Sequence, residues 1–84
     1  MGKDEMRARY GKGHKGRALY NAAIRAECPG GPDLLDLMEL VSAMRGRTGS
    51  AEEAEKLRII DDRLQTVRER MLIAVRNRWG LIDE

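Results

Sequence analysis

From Ala51 to Trp79 the chain runs without a glycine or a proline. In a protein of 84 residues no other feature constrains the fold as much. An uninterrupted α-helix over 50–79 would be roughly 43 Å long. Its start is marked by Ser50 followed by Glu53, a capping-box pattern that satisfies backbone N–H groups at a helix N-terminus. Glu52, Glu53 and Glu55 crowd the first turns, where the helix dipole favours negative charge. Gly80 marks the end, since it can take the left-handed conformation that closes a helix, and Leu81 or Ile82 can supply the accompanying apolar contact for Trp79. Inside the helix, Leu57, Ile60, Leu64, Val67, Met71 and Ala74 are spaced 3, 4, 3, 4, 3, which predicts a heptad packing seam. Residues 51–62 carry a net charge of −3 and residues 63–79 a net charge of +4. An antiparallel pair of such helices would set opposite charges together. A chain this short cannot cover the whole rod, so Leu57, Ile60, Leu64, Val67, Met71 and Trp79 are expected to form a helix-packing or partner interface. A homo-oligomer, or a subunit of a larger complex, follows as the expected state.

The rest of the chain divides at its turn residues. Residues 1–16 are basic and Gly-rich and read as an N-terminal arm; residues 17–84 read as a helical domain. Within it, 17–28 has Ala18, Leu19, Ala22, Ala23 and Ala26 at helical spacing. Pro29-Gly30-Gly31-Pro32 then breaks the chain, and Pro32 suits the first turn of a helix over 32–45. There, Leu34, Leu37, Met38, Val41 and Met44 form one stripe that Leu35 and Leu40 widen, so this helix is expected to be the most buried. Gly46 to Gly49 reads as a turn, short enough to make the last two helices an antiparallel hairpin. No stretch alternates like a strand. The fold class is all-α: three helices, one of them long, amphipathic and C-terminal.

Several function classes are disfavoured at this level. No apolar run approaches the length of a membrane span, and the first residues lack the apolar core of a secretory signal. Cys28 is the only cysteine, so no disulfide can form within the chain, and a lone thiol suits the reducing cytoplasm. With His14 the only histidine, no metal site and no cofactor is expected. Gly11, Gly13 and Gly16 formally match G-x-G-x-x-G, but the dinucleotide fingerprint needs a buried strand before it, and Arg7-Ala8-Arg9-Tyr10 is not one. Asp61 and Asp62 are adjacent on a helix and point about 100° apart, so they do not converge on a substrate or ion. No catalytic residues are expected and the protein reads as a non-enzyme.

Charge points instead to binding. Residues 1–25 carry seven basic and two acidic side chains; residues 26–84 carry nine basic and twelve acidic. The positive charge is therefore concentrated at one end. Arg7, Arg9, Lys12, His14, Lys15 and Arg17 are the candidate contacts to nucleic-acid phosphates or to an acidic protein surface. The leading expectation is a small helical module that binds phosphates through the arm and assembles through its long helix. The alternative is an adaptor or inhibitor, of the kind found in phages and mobile elements, docking on a larger complex.

Overall fold

The structure, a computed structural model, describes residues 2–81. It holds four helices: α1 (Lys3–Tyr10), α2 (Arg17–Glu27), α3 (Gly31–Arg47) and α4 (Ala51–Arg78). No strand occurs among the described residues, so the all-α class stands. No helix is long and apolar enough to cross a membrane. The expected count of three is corrected to four, because α1 forms inside the segment expected to be an arm. Its apolar content is Met6, Ala8 and Tyr10, too little to show a helical period. Yet Met6 is fully buried in the central cluster, and Tyr10 packs against that cluster's edge.

The α2–α3 joint is built by glycine. Gly30 takes a left-handed conformation at φ 76°, and the Gly31 N–H donates to the Cys28 carbonyl at 2.9 Å. Pro32 lies in the first turn of α3, where no N–H is needed. Helix α3 then continues through Gly46 to Arg47, past the expected end. The long helix starts as its sequence predicts: the Glu53 N–H donates to Ser50 Oγ at 3.2 Å. The reciprocal half of the box differs, since the Ser50 N–H donates to Thr48 Oγ1 at 3.2 Å. At the far end Gly80 has φ +73°, the Leu81 N–H donates to the Arg76 carbonyl at 2.7 Å, and the Gly80 N–H donates to that of Asn77 at 3.2 Å. These are the two bonds of a Schellman closure. Leu81 turns into the core and lies against the start of the chain: a Cβ on Gly2 would stand 3.7 Å from Leu81 Cδ2. Ile82 lies outside the described residues.

Helices α3 and α4 form the expected antiparallel hairpin, with Arg45 Nη1 3.4 Å from Asp61 Oδ2 across it. Ion pairs one turn apart form on the surface of α4: Lys56–Glu52 at 3.4 Å and Arg58–Glu55 at 2.6 Å. Arg58 also reaches Asp62 at 2.8 Å. The core gathers at one end of the hairpin. There Met6, Leu19, Ala23 and Ile24 meet Leu34, Leu35, Met38, Leu72, Val75 and Leu81. The molecule measures 48 × 23 × 22 Å, with a radius of gyration of 14.7 Å. A compact chain of this length would have about 12 Å. The far half of the hairpin is thus two helices with no third layer.

Helix α3 carries the most buried residues of the four, Gly31, Leu34, Leu35, Met38 and Val41, but its burial does not reach Leu37 and Leu40, which are 44% and 52% exposed. The heptad seam of α4 is also only partly used. Leu57 is buried, and Leu64 and Met71 are half-buried, but Ile60 and Val67 are 44% and 39% exposed and Ala74 is exposed. The packed stripe is rotated from the predicted one and runs through Leu57, Asp61, Leu64, Arg68, Leu72, Val75 and Trp79. Polar residues can hold this stripe because each finds a partner across it: Asp61 meets Arg45, and Arg68 meets Asn21.

Candidate phosphate-binding site

The site begins with a buried carboxylate. Glu27, at the last turn of α2, accepts the Tyr10 hydroxyl at 2.5 Å and the Trp79 indole N–H at 2.9 Å, both on Oε2. Arg78 Nε stands 3.4 Å from Oε1, near enough for an ion pair but not aligned as a hydrogen bond. The Glu27 side chain is only 7% exposed. Tyr10 and Trp79 meet edge to face, with ring centroids 6.2 Å apart. Burial, and after it the bond to Glu27, pushes the Tyr10 phenol above its ordinary value. This clasp joins α1, α2 and the end of α4. It also fixes the connector between α1 and α2.

The connector is the Gly-rich segment from Gly11 to Gly16. Gly13 and Gly16 have φ of 84° and 54°, a region open to glycine and costly to other residues. The His14 N–H donates to the Gly11 carbonyl at 2.9 Å, which closes a tight turn. Helix α2 starts directly after it with no side-chain cap and no acidic residue in its first turn. The Ala18 and Leu19 N–H groups donate back to the Lys15 and Gly16 carbonyls at 3.1 Å, so what this end offers an anion is the positive pole of the helix dipole.

Between α1, the connector and α2 lies a cavity of about 490 Å³. Lys3 and Arg7 line it from α1, His14 and Lys15 from the connector, and Leu19 and Tyr20 from α2. No carboxylate among the described residues lines it. Of the six predicted contact residues, Arg7, His14 and Lys15 converge here. Arg9 lies over the Tyr10 ring at 5.8 Å, Lys12 is exposed and does not line the cavity, and Arg17 turns to the other side of α2, 3.4 Å from Gln65.

Sequence reasoning missed the place of Lys3 in the cavity and the burial of Arg68, which does not line it. Lys3 joins because α1 is a helix. Tyr20 lines the cavity while its ring carries the Arg76 guanidinium at 5.3 Å. Arg68, 7% exposed, donates through Nε to Asn21 at 2.9 Å and has no carboxylate within ion-pair distance among the described residues. Burial lowers its pKa, with nearby Arg17 and Arg76 acting in the same direction and Glu69 opposing them. Nothing in the spacing of α4 marks Arg68 or Arg76, because both depend on how α2 crosses it.

Other candidate chemistry finds no support in the geometry. Cys28 donates weakly to the Met71 carbonyl at 3.9 Å; burial pushes its thiol up, and the Glu27 charge adds to that. It is not an activated thiolate. No group of three or more His, Cys, Asp or Glu side chains is placed to hold a metal among the described residues. The predicted interface residues part company: Leu57, Leu64, Met71 and Trp79 pack inward, while Ile60 and Val67 face outward. Comparisons with protein families, curated proteins and solved structures return no significant match. Fold and site define the chain as a small all-α protein with a glycine-framed cationic cavity at its four-helix end.

Proposed function

We propose that this protein is a non-enzymatic binding module whose cavity between α1 and α2 takes phosphates of a nucleic-acid backbone. The carrying observation is that Arg7, His14 and Lys15 come from two separate segments onto one concave surface, lined by no carboxylate among the described residues. The positive N-terminal end of α2 and the Tyr20 ring border the same space. Phosphate contacts of this kind give affinity without reading sequence.

The test is anisotropy of a labelled oligonucleotide, DNA and RNA in turn, titrated across a salt series. Affinity is expected to fall steeply with salt. Arg7→Ala and Lys15→Ala are each expected to reduce the salt slope by about 1. Arg9→Ala and Lys12→Ala, outside the cavity, are expected to change it less. Absence of binding at low salt would overturn the reading. So would equal losses from all four variants, which would mean diffuse attraction to a basic segment.

The second reading, a protein-binding adaptor, is favoured by a different observation: the exposed apolar side chains of the hairpin.

A further inference from the structure

We propose that the face of the α3–α4 hairpin turned away from α2 seats an amphipathic helix of a protein partner, one whose flank over α4 is acidic. This inference does not rest on the phosphate reading, since it uses other residues at another part of the molecule.

The hairpin has two sides. One carries the groove that α2 borders, lined from α3 by Leu35, Glu39 and Ser42 and from α4 by Asp61 and Gln65. At 100° per residue, Leu37 and Met44 of α3 and Ile60 and Val67 of α4 fall on the other side. The Arg45–Asp61 pair sets the antiparallel register. It places Met44 about 3 Å along the axis from Ile60, and Leu37 as far from Val67. All four are large and between 39% and 44% exposed. Buried Val41 and half-buried Leu64 lie between them, so the face is continuous along two helical turns. Nothing among the described residues forms a third layer here. Paired anchors at this spacing match the i, i+3, i+4, i+7 pattern of a helix laid in a groove.

Charge selects the occupant. Lys56, Arg63 and Arg70 precede Ile60, Val67 and Ala74 by four residues each; Lys56 is paired with Glu52, so Arg63 and Arg70 carry the free positive charge along the outer margin of the face. Arg63 and Arg70 are exposed and form no ion pair among the described residues. The acids Glu55, Asp62 and Glu69 run down a different side of α4, where the first two bind Arg58. A second copy is a poor fit. Two-fold pairing on this face sets Arg63 against its own equivalent and Lys56 against Arg70. Like charges across an interface oppose association. An acidic flank meets the same margin favourably.

The experiment uses the full chain and two labelled designed peptides of about 21 residues. Both carry leucine at helical spacing; one has a glutamate flank and the other a lysine flank. The glutamate peptide is expected to bind at least about tenfold more tightly. Val67→Asp and Leu37→Asp, both at exposed positions checked by circular dichroism, are each expected to weaken it by about tenfold. Arg63→Glu with Arg70→Glu is expected to reverse the preference, whereas Arg7→Ala leaves it unchanged. Equal affinity for the two peptides overturns the proposal. A preference that survives the charge reversal overturns it too, because the peptide is then held elsewhere. Sedimentation showing a dimer that Val67→Asp abolishes would give the face to a second copy.

Discussion

Replacing Gly31 by alanine is expected to destabilise the protein by about 3 kcal/mol or more. A Cβ at this position would lie far inside contact distance of the Ile24 carbonyl oxygen and 3.1 Å from Ile24 Cγ2. The obstructing atom is backbone in the middle of a packed helix, so no side-chain rotation relieves it. Either α3 moves off α2 or the turn at Cys28 opens. Gly46 is the control. It lies in the same helix with open space around it, and Gly46→Ala is expected to be neutral or slightly stabilising, because alanine is the better helix former. Urea unfolding followed by circular dichroism measures both. Equal effects at the two positions would remove the idea that close approach of α2 and α3 requires Gly31.

Glu27→Leu is expected to cost about 3 kcal/mol. The substitution strips the acceptor from the Tyr10 hydroxyl and the Trp79 indole, and each donor left unpaired in a buried place costs roughly 1–3 kcal/mol. Glu27→Gln keeps an oxygen acceptor and is expected to cost clearly less. Trp79 is the only tryptophan, so its fluorescence reports the clasp directly. In Glu27→Leu the emission is expected to shift toward the solvent-exposed value at urea concentrations where helix content is still high. A single coincident transition would mean that the clasp has no separate existence. The same network gives a pH dependence. The Tyr10 phenol is held above its ordinary value, so the folded state favours the neutral hydroxyl. That contribution is complete below about pH 10 and is lost as the pH rises through the folded-state value. Alkaline unfolding is therefore expected to set in earlier than in Tyr10→Phe, which has no proton to lose.

How far the sequence foretold this molecule can be judged at particular residues. Ser50, Gly80 and Pro32 act within one helical turn of themselves, and each marks its boundary as expected. The hairpin follows from the short connection after Arg47. Helix α1 was not legible, because its stability comes from Met6 entering a pocket made by residues far along the chain. The seam of α4 was misplaced for a related reason. Hydrophobic periodicity treats Arg68 and Asp61 as solvent-facing, whereas hydrogen bonding to Asn21 and pairing with Arg45 draw them toward the contact. Half of the candidate phosphate contacts were legible as a cluster of charge. Their division into Arg7, His14 and Lys15 inside the cavity and Arg9, Lys12 and Arg17 outside it depends on φ angles that only the folded connector sets.

Gly2 and Leu81 lie against each other where the four helices meet, so the two described ends of the chain emerge at a common pole. Anything appended to either end would project from that pole, beside the cationic cavity. The bare tip around Thr48 to Ser50 points the other way along the 48 Å axis. The molecule is in this sense a short lever. Its fulcrum is the knot at Glu27, where the Trp79 indole ties the end of α4 to the helices that border the cationic cavity.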